Sequence, residues 1–307
     1  MLEALTGAVE LGLLYALMAL GVYITFRILD FPDLTVDGSY TTGGAVAAIM
    51  ITHGYSPIIA TLCAFVCGLA AGACTGLLHA KGKINGLLAG ILMMIALYSI
   101  NLRLMGRPNI SLLRTDTLFS AISDNRAAFI PVLIAVVLAA KLLLDAFLHT
   151  DLGLALRATG DNARMIRSLG ANTDTAKILG VSLSNGLVAL SGALIAQEGG
   201  FADIASGVGT IVLGLASVIV GEAIFGFRTV FQATLAVVLG SVAYRLIYAL
   251  ALRIDLLDAS DLKIMTALIV IAALVIPTVR RSMRQKALAR RRTEELLGAA
   301  VRQGGRT

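Results

Sequence analysis

Long apolar segments dominate this sequence. Runs of roughly 18–25 residues recur along the chain, separated by short stretches that hold most of the charged residues. A helix of that length crosses a hydrocarbon core about 30 Å thick, since each residue rises about 1.5 Å. The alternation of a membrane β-barrel is not visible, and lipid cannot satisfy open backbone groups. The sequence therefore predicts a bundle of transmembrane helices, in a chain that is 58% hydrophobic and 14% charged.

The apolar pattern predicts an all-α, polytopic protein with about nine spans. The second run is short and rich in Gly, Ser and Thr, which indicates a broken or partly re-entrant helix. The predicted membrane domain is 1–279, the tail is 280–307, and a hydrophilic segment, 150–175, interrupts the domain. The predicted runs are 5–27, 38–53, 57–79, 84–105, 127–148, 176–197, 208–225, 230–252 and 262–279.

The positive charges predict the orientation. Lys and Arg cluster between positions 280 and 292, directly after the last run. Such a cluster is retained in the cytoplasm and attracts anionic lipid, so we expect a cytoplasmic tail in an inner, cytoplasmic-type membrane. Nine spans then place 150–175 inside and the N-terminus outside, whereas an even number would move the N-terminus inside. The cluster lacks base-reading or aromatic companions, so no nucleic acid partner is expected.

Several motifs of catalysis and nucleotide binding are missing from the sequence. It contains no phosphate-binding Gly-x-x-x-x-Gly-Lys-Ser/Thr loop, no Gly-x-Ser-x-Gly elbow and no His-Glu-x-x-His pair. Cys63, Cys67 and Cys74 share one apolar run, which is typical of buried packing residues. We therefore expect a non-catalytic chain that binds no metal and no cofactor of its own.

A weak internal repeat is also present. Phe31-Pro-Asp-Leu, followed by Asp37-Gly38, resembles Phe201-Ala-Asp-Ile, followed by Ser206-Gly207, and a small-residue helix follows each copy. The predicted topology places the two copies at opposite membrane faces. Two copies related by inversion would place a translocation path at their interface.

The segment 150–175 contains a predicted two-turn helix. Asp161 is a favourable N-cap and Gly170 a favourable C-cap. Met165, Ile166 and Leu169 are expected on one face of this helix. Two interpretations remain open at this point: the apolar face plugs into a groove on a cytosolic partner, or it lies on the bilayer surface.

Two stretches carry a family resemblance that extends over nearly the whole chain. The first joins Gly12-Leu-Leu-Tyr-Ala-Leu-Met-Ala-Leu-Gly21 to Asp30-Phe-Pro-Asp-Leu-Thr-Val-Asp-Gly38 and Gly43-Gly-Ala45. The second runs from Leu156-Arg-Ala158 through Asn162 to Leu169-Gly-Ala-Asn-Thr-Asp174. Together they resemble the permeases of ATP-driven importers for branched-chain amino acids, ribose and similar solutes. The 26–39 stretch most resembles the tryptophan/tyrosine-type branch.

The resemblance implies which partners the chain has. It makes 150–175 the coupling segment, which docks on a cytosolic ATPase subunit that carries the ATP and Mg²⁺. It also implies an extracytoplasmic solute-binding protein and a second permease subunit, expected as a homodimer. The residues expected to couple to the ATPase are Arg157, Asp161, Arg164, Met165, Ile166, Leu169 and Gly170.

Polar residues near the two broken helices are candidates for the solute pathway. Asp33 and Asp37 could form an ion-paired gate or serve as solvated helix caps, and Glu222 could pair with Arg27 or Arg228 or simply anchor the helix at the inner interface. Tyr15 and Tyr40 could stack on an aromatic solute or anchor helices at an interface. The pathway candidates are Asp33, Asp37, Tyr40, Thr41, Thr42, Asn185, Gln197, Ser217 and Glu222.

The sequence therefore predicts the permease subunit of an ATP-binding-cassette importer, translocating a small solute such as an aromatic or branched-chain amino acid. The alternative is an ion-coupled secondary transporter, which also uses inverted repeats and broken helices. Against it stands the scarcity of carboxylates within the spans, because a proton or sodium site usually needs one.

Overall fold

The computed structural model describes residues 2–120, 126–226 and 229–251, together with five helical residues between Ile264 and Val275. The chain divides into two compact units, Met1–Leu257 and Asp258–Thr307, and the fold described here is that of the first. The predicted tail 280–307 and nearly all of the ninth predicted span, 262–279, lie outside the described residues. Their assignment stays a prediction.

Eight predicted spans correspond to helices whose bounds agree to within three residues, when the π-helical turn Tyr23–Ile28 is counted with the first helix, so the all-α membrane class is confirmed. The described helices are α1 (Leu2–Val22), α2 (Thr35–Thr52), α3 (Pro57–Ala80), α4 (Gly86–Met105), α5 (Arg126–Leu148), α6 (Asp151–Ser168), α7 (Thr173–Gly199), α8 (Thr210–Phe225) and α9 (Val230–Ala251). Two short strands that the sequence did not predict, β1 (Asn109–Ser111) and β2 (Phe201–Asp203), pair antiparallel.

Six of the described helices are long and apolar enough to cross a membrane. The first continues from α1 through a π-helical turn, Tyr23–Ile28, in which the helix widens before it ends. Helices α2 and α8 are not among the six, since α8 has only 16 residues and α2 is rich in small polar residues. The second span is short, as predicted, but α2 is continuous over its 18 residues rather than broken.

Helix α6 differs from the helix predicted at 161–170. It begins ten residues earlier, because the Thr150 hydroxyl accepts a hydrogen bond from the Gly153 amide (3.3 Å) and caps it. Asn162 then leaves helical geometry, with φ −157° and ψ 85°. Its side chain caps the second half by accepting from the Met165 amide (3.1 Å), so the cap is Asn162 and not Asp161. Gly170, with φ +86°, terminates the helix as predicted.

Small residues position α7 against α2 and α3. A Cβ atom at Gly68 or Gly72 of α3 would overlap carbonyl oxygens of α7, and Gly43 of α2 abuts the backbone of Ala189. Bare glycine lets two helix backbones approach this closely. Gly68, Gly72 and Gly76, four residues apart on α3, form a stripe along which α7 packs, and α7 becomes the central helix against which the polar side chains of α2 are held.

The predicted repeat has a counterpart in the packing. In one half, α7 packs on α2 and α3, and α2 and α3 also pack on each other. In the other half, α1 packs in the same way on α8 and α9, which contact each other. Asp33 and Asp203 form the same local turn: the Asp33 carboxylate accepts from the Thr35 amide (2.9 Å) and Asp203 from the Ala205 amide (2.7 Å).

The two copies lie at opposite ends of α4. The Phe31 ring contacts His79 and abuts Gly86, at the start of α4. Strand β2, which contains Asp203, pairs with β1, which follows the far end of that helix. Twenty helical residues separate these ends by about 30 Å. This arrangement is the one that an inverted repeat requires.

Candidate functional site

The N-terminus of α8 meets the first turn of α2, and Asp37 joins them. The Asp37 carboxylate accepts hydrogen bonds from the Gly209 amide (2.9 Å), the Ile211 amide (2.8 Å) and the Thr210 hydroxyl (3.0 Å). These amides begin α8, whose N-cap, Gly209, has no side chain to satisfy them. A carboxylate at this position complements both the free amides and the helix dipole. We call these four residues the helix junction.

A small cavity of about 50 Å³ adjoins the helix junction. Asp37 and Thr41 line one side of it, and Tyr98 and Asn101 of α4 line another. Asn101 is fully buried, and its amide nitrogen lies 3.4 Å from the Gly38 carbonyl oxygen, while its Oδ1 has no hydrogen-bond partner among the described residues. Sequence reasoning missed Asn101, which lies between Ser99 and Arg103 near the end of α4.

A second buried polar group lies between α2 and α7. Asn185 donates to Asp33 Oδ2 (2.6 Å) and accepts from the Ser39 hydroxyl (2.7 Å), while the Thr35 and Thr75 hydroxyls bond each other (2.8 Å). Burial raises the pKa of the Asp33 carboxyl, and hydrogen bonds from Thr35 and Asn185 oppose that rise. The structure thus brings together Asp33 and Asn185, two predicted pathway residues 152 positions apart.

The remaining pathway candidates are dispersed. Thr42 and Ser217 bond carbonyls of their own helices, to Gly38 (2.8 Å) and Leu213 (2.8 Å). Gln197 donates to the Thr61 hydroxyl (2.8 Å) near the far end of α7 and accepts from the Leu118 amide (3.2 Å). These contacts hold helices and loops together, and none of the three residues lies at the helix junction.

Glu222 pairs with Arg27 rather than standing alone at the interface. The Arg27 Nε atom lies 2.9 Å from Glu222 Oε1, which joins the π-helical turn after α1 to the last turns of α8. The arginine side chain is 44% exposed and that of Glu222 is 19% exposed. The other predicted partner, Arg228, lies outside the described residues.

The expected coupling face is divided between the interior and the surface. Met165 is 55% and Leu169 is 73% exposed, whereas Ile166 is only 9% exposed and packs into its own chain. The Arg167 guanidinium donates to the Thr173 hydroxyl (2.9 Å) and ties the helix to the start of α7. Asp161 and Arg164 are exposed, and Arg157 is half-buried. The apolar surface open to a partner therefore consists of Met165 and Leu169.

A buried ion pair escaped the sequence analysis. Lys141 Nζ lies 2.6 Å from Asp145 Oδ2 within α5, and the Thr234 hydroxyl of α9 donates to Asp145 (2.7 Å). The lysine also lies over the Phe231 ring, 3.0 Å from its centroid. The sequence does indicate this ion pair, because Lys141 and Asp145 are opposite charges four residues apart within an apolar run. Because Asp145 is neutralised by Lys141, it does not offer a coupling ion an unpaired carboxylate.

Tyr40 contacts Tyr15 rather than standing alone. The two rings are parallel within 12°, with centroids 6.1 Å apart, and their hydroxyls lie 3.3 Å apart. Tyr15 is half-buried, and Tyr40 is buried. The two tyrosines that were candidates for stacking on a solute therefore contact each other, across α1 and α2.

Six helices of this chain can span a membrane, and they pack with α2 and α8, whose polar groups meet at the helix junction. This arrangement is typical of a multi-pass membrane protein of the transport class. The chain belongs to the family described as branched-chain amino acid transport system permease component, whose sequence model matches residues 5–282. Members of this family are permease subunits of ABC transporters and not catalysts.

Two named relatives are similar to different extents. The chain is 45% identical over 274 residues to the tyrosine transport system permease protein of Clostridioides difficile, covering 89% of this chain and 91% of that one. It is 31% identical over 180 residues to the ribose import permease protein of Escherichia coli, covering 57% of this chain and 54% of that one.

One solved structure is similar across most of the chain. It is described as an inward-facing conformation of a metal-chelate type ABC transporter, and it shares 18% identity at a TM-score of 0.48. The match covers 91% of this chain and 85% of that chain.

Proposed function

We propose that this chain is the membrane-spanning subunit of an ABC importer that takes up an aromatic amino acid, with tyrosine as the first substrate to test. The observation that carries the proposal is the 45% identity to a tyrosine transport system permease over about nine-tenths of both chains. The similarity to the ribose permease covers only 54% of that protein and supports a sugar substrate less well.

The proposed energy source is a cytosolic ATPase subunit that binds ATP and Mg²⁺ and docks on the coupling segment. Met165 and Leu169 support this role, because two large apolar side chains more than half exposed at the turn between α6 and α7 are suited to a hydrophobic groove. Ile166, Arg157 and Gly170 then shape the segment rather than contact the partner. Asp161 and Arg164 are exposed beside Met165 and would form the polar rim of the interface.

A continuous set of contacts supports transmission from the coupling segment to the helix junction. Gly160 of α6 abuts the backbone of Ile28, so a shift of α6 presses directly on the π-helical turn. Arg27, the residue before Ile28, forms an ion pair with Glu222 near the end of α8. The opposite end of α8 is capped by Asp37. We propose that ATP-driven movement of α6 displaces α8 by this route and switches access to the pathway.

The remaining partners follow from the family. We propose a second copy of this chain as the other half of the pore, and an extracytoplasmic binding protein that delivers the solute. The C-terminal tail is placed in the cytoplasm, since its positive charges favour retention there and contact with anionic lipid.

Transport by the complete importer tests the proposal. The chain would be co-expressed with its neighbouring ATPase and binding-protein genes in a host lacking aromatic amino acid uptake. We expect uptake of labelled tyrosine that disappears when the ATPase is inactivated, and little uptake of leucine or ribose. Uptake that survives ATPase inactivation but collapses with a protonophore would identify an ion-coupled secondary transporter. Uptake of ribose alone would replace the proposed substrate.

A further inference from the structure

Arg245 is an unusual residue for its position. It lies within α9, one of the helices long and apolar enough to span a membrane. Among the described residues, its guanidinium forms no ion pair and no hydrogen bond, and it stacks on aromatic rings instead. An arginine within a span is costly, and it is retained where it faces a partner, a water-filled cavity or a substrate path.

The Arg245 guanidinium lies against aromatic rings of α1 and α9. Its Cζ atom lies 3.8 Å from the centroid of the Tyr15 ring and 5.8 Å from that of Tyr248. Close packing of α1 on α9 brings Arg245 and Tyr15 together, and the Ser241 hydroxyl donates to the Gly12 carbonyl (2.7 Å) one turn away. The stacking satisfies one face of the guanidinium and leaves its N–H groups available to an anion.

Groups of complementary chemistry surround Arg245. Tyr15 carries the stacked ring and hydroxyl of Tyr40, so an aromatic surface adjoins the positive charge. Ile211, at the start of α8, packs against the same cluster and remains partly exposed. A cation and an aromatic and apolar surface thus lie together where α1 meets α9, α2 and α8.

We propose that this cluster is a solute-binding site for an aromatic amino acid. Arg245 binds the α-carboxylate, and Tyr15 and Tyr40 contact the ring. This inference rests on the proposed function and deepens it, since it gives the permease a site of its own for the solute that the binding protein delivers. A sugar has no carboxylate for Arg245 to bind.

Direct binding to the permease tests the site without the binding protein, which would impose its own specificity. The permease–ATPase complex in lipid nanodiscs would be titrated with L-tyrosine and with tyramine, which lacks the carboxylate, and binding followed by saturation-transfer NMR. We expect tyrosine to bind more tightly than tyramine. Arg245→Gln should raise the Kd for tyrosine about 10- to 100-fold, the loss expected for a charge-assisted contact, and leave that for tyramine unchanged.

Controls separate this effect from misfolding. Unchanged tyramine binding shows that the aromatic part of the site survives in Arg245→Gln, and Arg245→Lys should fall between wild type and Arg245→Gln. Arg103→Gln removes an exposed arginine at the end of α4 and should change neither Kd. An Arg245→Gln protein that still prefers tyrosine over tyramine as wild type does would show that Arg245 only anchors α9 at the lipid headgroups, and would overturn the proposal.

Failure of the site and failure of the proposed function give different results. If cells import tyrosine through the complete transporter but the nanodisc complex shows no saturable tyrosine binding, the site is overturned and the proposed function stands. If neither import nor binding of tyrosine is seen, the substrate assignment itself is wrong.

Discussion

Replacing Asp37 by Asn should destabilise the permease through the helix junction. The carboxylate satisfies two backbone amides and one hydroxyl at the start of α8, where Gly209 supplies no cap of its own. An Asn oxygen can replace Oδ1 and keep the bonds from Ile211 and Thr210. Its NH₂ group would then face the Gly209 amide, donor against donor.

The cost follows from those contacts. Loss of one hydrogen bond to a charged group costs about 1.5–3 kcal/mol. Loss of the negative charge at a helix N-terminus adds about 0.3–2 kcal/mol. We therefore expect Asp37→Asn to lower the free energy of unfolding by about 2–5 kcal/mol, because the Gly209 amide loses its acceptor and the N-terminus of α8 loses its negative charge.

Unfolding by SDS titration in mixed micelles measures this loss. Asp30→Asn is the matched control, since Asp30 is exposed and its left-handed backbone (φ +49°) suits Asn. If Asp37→Asn proves as stable as Asp30→Asn, the capping role is refuted. A protein of unchanged stability that no longer imports its solute would instead favour the gate hypothesis for Asp37.

Four further substitutions test other parts of the fold. Leu169→Asp should leave insertion normal and abolish co-purification with the ATPase, whereas Ile166→Asp should lower the yield of folded permease, because Ile166 is only 9% exposed. Arg27→Gln should change the free energy of unfolding by less than about 1 kcal/mol, since its ion pair is partly exposed, yet slow uptake in the transport assay. Gly72→Val should cost about 1–3 kcal/mol or more in SDS titration, with Gly7→Ala, which meets open space, as its control.

The spans were predictable because one physical quantity sets them. The thickness of the hydrocarbon core fixes the number of apolar residues that a helix needs, so the runs at 57–79 and 230–252 match α3 and α9 almost residue for residue. The contacts of the Gly68–Gly76 stripe were predictable for the same kind of reason, since bare glycine on a membrane helix has few other uses.

The partners of the polar residues were not predictable from one sequence. Asp33 was expected to act at a gate or a solvated cap, but its partner, Asn185, is 152 positions away and meets it only because Gly43 and Gly72 let α2, α3 and α7 approach. The start of α6 was missed because the hydroxyl of Thr150, a weaker capping signal than Asp161, fixes it. Ile166 shows the same limit: helical periodicity gives the apolar face, but tertiary packing decides which part is buried.

The inverted repeat shows where similarity between two copies ends. Both copies form the same aspartate turn, at Asp33 and at Asp203, which is the part that the sequence pattern identified. Their contributions to the helix junction differ, however. The first copy supplies the Asp37 carboxylate that caps α8, and the second supplies Gly207, where a Cβ atom would overlap the Asp37 carbonyl oxygen. The first copy therefore provides the negative charge, and the glycine of the second copy leaves room for the backbone of Asp37. Any movement that separates α8 from α2 must break these hydrogen bonds, and the route from α6 through Arg27 reaches α8 at its opposite end.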